Sequence, residues 1–240
     1  MTYSHSTLAR APSAAKIAVR HAIACPPKPA QVYYRREMAT VPDRKTFQTV
    51  YAGQAPWDIG RPQQPFVDVA DRITGSILDA GCGTGESALF FASRGQQVMG
   101  IDFLEEPIER ARRKASERGL RTTFVVRDAL TLTSWKERFD NVIDSGLFHV
   151  FSDEDRTRYV EGLETVLKPG GRLFLLCFSD EVPGTQGPRR VAKQELYDAF
   201  ARGWTIESVE PTRFEVRPDL QDFLFSQGAP KAWFAVLQRA

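Results

Sequence analysis

Apolar positions along this chain change period at regular intervals, and the changes predict its elements. Phe66, Val69, Ala70 and Ile73 fall at i, i+3, i+4 and i+7, the stripe of a short helix over 64–73 with Pro65 in its first turn. Gly75 resets the chain. Ile77-Leu78 then leads a first strand, and Val98-Met99-Gly100-Ile101 a second. Between them, 87–93 continues as a helix through Leu89, Phe90 and Phe91, which Gly95 is placed to end. Leu104, Ile108, Ala111 and Ala115 line one side of a helix over 105–118, whose other side is a solvated run of charges. Strands follow at 122–126, 139–143 and 173–178. Ser152 caps a helix that runs to Leu167 with Val160 and Leu163 facing inward, and Lys168-Pro169-Gly170-Gly171 turns into the fifth strand. One more helix carries Leu196 and Phe200. Strands at 205–209, 214–216 and 233–237 close the chain, the final pair antiparallel. Residues 47–63, dense in aromatics, Gly and Pro, read as an ordered loop. Strands alternating with helices predict an α/β fold: one doubly wound sheet, mostly parallel, with an antiparallel C-terminal strand and helices on both faces.

Composition adds limits. At 240 residues, one α/β domain over 38–240 can bury a sizeable core. No apolar run is long enough to span a membrane. Residues 1–36 carry six bases and no acid; removing them from the 32 Lys and Arg leaves 26 against 30 Asp and Glu. The body is thus mildly acidic, which argues against nucleic acid. The basic arm 1–37 admits three readings: a transit peptide, a disordered arm, or an upstream start site ahead of a domain that begins at Met38. Cys25, Cys82 and Cys177 are an odd, scattered set, which points to a reducing, cytoplasmic compartment. His5, His21 and His149 have no metal-ligand spacing, so no metal is expected.

The chemistry centres on the turn after the first strand. Gly81, Gly83 and Gly85 give G-x-G-x-G, and position 86 is Glu86 where a dinucleotide fingerprint needs its third glycine. A glutamate at a helix N-terminus competes with a pyrophosphate for one positive helix end. Asp79, just before the turn, adds a second negative group. A ligand with a cationic amine or sulfonium suits that environment better than NAD does. Asp102 ends the second strand, where an acid can accept hydrogen bonds from both ribose hydroxyls. Phe103 follows as the natural residue to lie against an adenine face.

Asp79-Ala80-Gly81-Cys82-Gly83-Thr84-Gly85 resembles the first motif of class I S-adenosylmethionine-dependent methyltransferases. The resemblance continues through Asp102, Asp128-Ala129, Phe139-Asp140-Asn141-Val142-Ile143-Asp144 and Leu167-Lys168-Pro169-Gly170-Gly171-Arg172-Leu173, and covers roughly 75–180. It implies a Rossmann-like sheet and S-adenosyl-L-methionine as cofactor. It also implies that Asp128 accepts from the adenine amino group and that the Ala129 N–H serves a ring nitrogen. Pro56-Trp57-Asp58-Ile59-Gly60-Arg61 looks like the W-x-x-G-R entry of the thiopurine- and halide-methyltransferase branch, and of bacterial methyltransferases of small toxic heterocycles. That implies a lid, with Trp57 and Arg61 near the cofactor's methionine end and Arg61 pairing its carboxylate.

Open α/β sheets bind ligands at the carboxyl edge of their strands, where Asp144 and His149 follow strand four. His149 is a candidate general base, if the acceptor must lose a proton, or a structural histidine. The rim expected from Phe47, Tyr51, Trp57, Phe148, Phe151 and Phe178 is apolar and aromatic, which favours a small, partly apolar acceptor such as a heteroaromatic with an O, S or N nucleophile. Two other readings stay open: a nicotinamide-dependent oxidoreductase and a non-catalytic cofactor-binding protein. The oligomer expected is a monomer or a homodimer.

Overall fold

The computed structural model describes Met1 and residues 43–53, 55–184, 187–220 and 228–240. The basic arm, Met1 apart, lies outside these residues. In chain order the elements are α1 Arg44–Tyr51, α2 Gln64–Asp68, β1 Ser76–Ala80, α3 Glu86–Ser93, β2 Gln97–Asp102, α4 Glu105–Glu117 and β3 Thr123–Val126. Then come β4 Phe139–Ser145, α5 Asp153–Val166, β5 Leu167–Phe178, α6 Lys193–Ala199, β6 Trp204–Arg213 and β7 Lys231–Arg239.

The strands form one sheet in the order β3-β2-β1-β4-β5-β7-β6. β1 to β5 pair in parallel, and β7 runs antiparallel to both β5 and β6. Period-two alternation divides the core between two faces. Ile77, Phe174 and Leu176 pack with Phe66 of α2, Phe91 of α3 and Ile108 of α4. Leu78, Leu173 and Leu175 pack on the opposite face with Tyr159 and Leu163 of α5 and Leu196 of α6. The chain moves outward from β1 to β3, then returns to place β4 on the other side of β1. That reversal opens a crevice beyond the carboxyl ends of β1 and β4. Among the described residues, no helix is long and apolar enough to cross a membrane.

Three expectations need correction. The loop reading of 47–63 begins inside α1, which Asp43 caps by accepting from the Thr46 N–H at 2.8 Å. This helix is short, and its stripe of Thr46, Val50 and Tyr51 mixes polar with apolar groups, so hydrophobic period alone did not mark it. The stripe over 64–73 is not one helix; α2 ends at Asp68 and a 3-10 turn, Ala70–Arg72, follows. Residues 214–216 are not a separate strand: β6 ends at Arg213, and the Glu215 N–H donates to the Gln63 side chain at 2.7 Å instead of to a ladder.

Candidate active site

β1 delivers the chain into a turn in which Gly81, Gly83 and Gly85 all have positive φ, at 70°, 53° and 85°. The Cys82 N–H donates to the Ile101 carbonyl at 2.8 Å, which ties the turn to β2. The glycines do different work. Gly85 does not border the cavity. A Cβ there would lie 2.7 Å from Cζ of Phe124 and 2.8 Å from Cβ of Ala111, so glycine lets α3 pack on β3 and α4. Gly81 and Gly83 border the cavity directly.

Two buried carboxylates flank the turn. Asp79 accepts from the Ala88 N–H at 3.0 Å. Its pKa is pushed up to about 7 by burial, opposed by the Ala88 bond and reinforced by Asp144 and Asp102. Asp102 accepts from the N–H groups of Gly83 at 3.2 Å and Leu104 at 3.0 Å. Burial pushes it up to about 6 despite those donors. Phe103 follows on the wall, with the Phe47 ring edge-on at 5.7 Å and the Arg44 guanidinium 5.4 Å from its centroid. Asp128 and Ala129 complete this half; the Asp128 carboxylate also accepts from the Leu130 N–H at 2.9 Å.

Glu86 borders the cavity with a counter-charge already in place. Lys114 Nζ lies 2.8 Å and Arg118 Nη1 3.0 Å from its carboxylate. Burial alone would raise this acid, but hydrogen bonds from Arg118 and Lys114 outweigh that and hold it below its usual range.

The segment carrying Trp57 and Arg61 lines the cavity. The Trp57 Nε1–H donates to the Tyr51 hydroxyl at 3.2 Å. Arg61 forms an ion pair with Glu215, a partner 154 positions away. Gln63 donates to the Glu215 carbonyl at 2.8 Å, and the Arg217 N–H donates to the Pro56 carbonyl at 2.9 Å. The residues after β6 therefore hold this segment down, a relationship no local sequence signal carries.

The far half of the cavity is built by residues after β4 and β5. Leu147, Val150, Phe151, Phe178, Pro188 and Phe214 line it around His149. The Gly/Pro/Ser loop 179–188 after β5, whose composition and place after a strand at the ligand edge predict that it borders the substrate, brings Pro188 to the lining. Phe214, by contrast, was not legible as a site residue, because it arrives from the chain after β6. Phe148, expected on the rim, is fully buried beneath it, stacked on Phe200 at 5.8 Å.

Asp144 does not border the cavity. It is fully buried and accepts from the N–H of Leu147 at 2.7 Å, the N–H of Phe148 at 3.1 Å and the Tyr159 hydroxyl at 3.0 Å. Its bonds shape the turn after β4 and tie it to α5, so the geometry removes it from the expected set of cofactor contacts. Burial raises its pKa to about 7.

His149 borders the cavity, but its orientation contradicts the expected base. The Phe178 N–H donates to Nδ1 at 2.9 Å, which places the ring proton on Nε2. Burial, then the nearby Arg156 and Arg190, lowers its pKa to about 3. The imidazole is therefore neutral, its one free lone pair is taken, and what it can offer is an N–H.

A family model described as a methyltransferase domain matches residues 77–171. The 2-heptyl-1-hydroxyquinolin-4(1H)-one methyltransferase of Mycobacteroides abscessus is 33% identical over 186 residues, covering 72% of this chain and 82% of that protein. The chain belongs to the class I S-adenosylmethionine-dependent methyltransferases. Thiocyanate methyltransferase 1 of Brassica oleracea is 28% identical over 172 residues, 68% of this methyltransferase and 75% of that protein. A structure solved in work on the conversion of a disulfide bond into a thioacetal group during echinomycin biosynthesis matches with a TM-score of 0.70 at 36% identity, covering 82% of this chain and 93% of that one. The Burkholderia thailandensis 1,6-didemethyltoxoflavin-N1-methyltransferase, solved with S-adenosylhomocysteine, shares the fold at a TM-score of 0.65 and 23% identity, over 82% of this chain and 87% of that one.

S-adenosylmethionine is the cofactor, and the residues of this methyltransferase fit it. Asp79 and Asp102 are buried acids raised by desolvation, a state that a cationic sulfonium and ammonium relieve. When bound, the cofactor supplies a methyl group already activated on sulfur. The membership sets aside the nicotinamide and non-catalytic readings.

Proposed function

We propose that this methyltransferase acts on an O, S or N nucleophile of a small, partly apolar heteroaromatic molecule. The observation that carries this reading is the lining of the far half of the cavity. Phe151, Phe178 and Phe214 supply ring faces and edges, Leu147 and Val150 supply aliphatic surface, and His149 supplies one polar point. Such a lining favours a flat apolar body oriented by few polar contacts. The name of one relative agrees with a heteroaromatic acceptor, a hydroxyquinolinone, and the name of another, thiocyanate, agrees only with a small nucleophile.

In the near half, Asp102 holds the ribose hydroxyls and Phe103 lies against the adenine. Asp128 and Ala129 serve the adenine edge. Gly81 and Gly83 let the backbone approach, and Trp57 and Arg61 cover the methionine end. Methyl transfer from a sulfonium is an in-line displacement, so holding the nucleophile close and collinear supplies most of the rate.

The test is release of S-adenosylhomocysteine across a panel of small hydroxylated, thiol-bearing and ring-nitrogen heteroaromatics, with protein and nucleic acid as comparison acceptors. Turnover confined to the small-molecule panel is expected. A folded enzyme that binds S-adenosylmethionine and methylates only the macromolecules overturns the reading.

A further inference from the structure

We infer that the acceptor reacts as an anion that has lost its proton before transfer, and that His149 holds this anion through Nε2–H instead of removing the proton. The inference rests on the proposed heteroaromatic acceptor and names its subclass: acidic hydroxylated heteroaromatics.

The geometry begins on the wall side of the ring. Nδ1 accepts from the Phe178 backbone at 2.9 Å, and that donor belongs to the end of β5 and cannot turn away. Phe178 packs edge-on against the ring at 4.9 Å, and Phe214 lies at 5.9 Å, so the imidazole cannot flip without displacing both. Nε2, on the opposite side of the ring, has no hydrogen-bond partner among the described residues and is not sealed off, while the ring borders the cavity. An N–H facing a largely apolar cavity gains most from an anionic acceptor atom.

The surrounding charges favour the same ligand. Arg156 of α5 and Arg190 of the loop before α6 are the cations that act on His149. Arg156 donates to the Phe148 carbonyl and pairs with Glu195, and Arg190 donates to carbonyls of its own loop. Neither is a base. Asp155 is the one acid lining this half among the described residues. Its carboxylate accepts from the Ser152 hydroxyl at 3.1 Å and pairs with Arg158 at 3.3 Å.

The step balances without an enzyme base. The acceptor hydroxyl gives its proton to solvent before or during entry. A lone pair of the oxyanion then forms the new O–CH3 bond. The methyl–sulfur bond breaks, and its electron pair stays on sulfur as the neutral thioether. His149 keeps its proton throughout.

Two variants and two readouts test this. Glutamine can accept from the Phe178 N–H and donate into the cavity, yet cannot act as a base, so His149→Gln should keep activity within about tenfold of wild type. Phenylalanine can do neither, and His149→Phe should lose about 10- to 100-fold in kcat/KM, the worth of a hydrogen bond to a charged group. Over an acceptor series of graded acidity, the acid limb of kcat/KM should follow each acceptor's own pKa. Independently of turnover, the ultraviolet spectrum of an acceptor bound with S-adenosylhomocysteine should show it ionised at a lower pH than in water, and His149→Phe should abolish that shift. Three results would overturn the inference: an acid limb at one fixed pH for every acceptor, an unshifted bound spectrum, or a folded His149→Gln enzyme as inactive as His149→Phe. Absence of methylation for the whole series, with S-adenosylhomocysteine bound normally, overturns the heteroaromatic reading itself.

Discussion

Gly83 and Tyr51 meet through a space that only glycine leaves open: a Cβ on Gly83 would lie 2.7 Å from the Tyr51 hydroxyl. That hydroxyl also accepts from Trp57, so the glycine turn, α1 and the segment carrying Trp57 share one contact point in the cavity lining. Gly83→Ala should therefore act twice. The positive φ of 53° strains an alanine by about 1–2 kcal/mol, or roughly 2–8 °C in melting temperature. Displacement of Tyr51 should weaken S-adenosylmethionine binding by at least about tenfold, or 1.4 kcal/mol. Adding Tyr51→Phe should recover part of the affinity and none of the backbone strain. Calorimetry and thermal melts on the single and double variants separate the two effects, and a double variant no better than the single would disprove the steric link.

Asp102 joins the ribose reading to the fold. Asp102→Ala removes the acceptor for Gly83 and Leu104 as well as the proposed contact with the ribose hydroxyls. At roughly 1.5–3 kcal/mol for each bond to a charged group, cofactor affinity should fall by a factor on the order of ten to a thousand. An isothermal titration that finds wild-type affinity in a folded variant removes Asp102 from the cofactor site.

Arg61 and Glu215 offer a paired test of the segment carrying Trp57. Arg61 is about half exposed, so its ion pair should stabilise the fold by no more than about 1 kcal/mol. The bonds from Gln63 to the Glu215 backbone survive a change of the Glu215 side chain. If Arg61 serves the cofactor carboxylate, Arg61→Ala should weaken S-adenosylmethionine binding several-fold, while Glu215→Gln releases the guanidinium and leaves affinity equal or higher. Equal losses in both variants would assign Arg61 to the latch alone.

Stability and cofactor binding should depend on pH in a defined direction. Asp79 and Asp144 titrate near 7 and Asp102 near 6 in the fold, all above the ordinary value of 3.8. The folded state therefore holds more protons than the unfolded chain between about pH 4 and 7, and their stabilising contribution is lost as pH rises through that window. His149, lowered to about 3, works in the opposite sense below its ordinary value of 6.5, but it is one group against three. The cofactor-free protein should melt lower at about pH 7 than at about pH 5, both inside this window. A cationic cofactor favours the ionised acids, so S-adenosylmethionine should raise the melting temperature more at the higher pH and release protons on binding. Melts with and without cofactor, and calorimetry in buffers of different ionisation enthalpy, measure both. A pH-independent cofactor effect would show that the acids do not feel its charge.

The sequence by itself determined the parallel core of the fold and the glycine turn with the acids beside it. Those features are local: Ile77 to Asp102 spells a strand, a glycine turn, a helix and a strand ending in an acid, and each choice depends on neighbours a few positions away. The amphipathic period of α4 was legible for the same reason, and its Ile108, Ala111 and Ala115 are buried. Tertiary structure decided which polar groups are free to act. Asp144 follows a strand at the ligand edge just as a cofactor acid would, yet Tyr159, Leu147 and Phe148 consume its lone pairs. His149 has the chemistry of a base in isolation, and a backbone N–H from β5, 29 positions away, turns it into a donor. Phe214 lines the cavity, and Arg61 gains its ion-pair partner Glu215, only because the chain after β6 returns to this side of the fold. A residue type carries its potential chemistry along the chain, but which lone pair or proton remains available depends on partners brought in by folding.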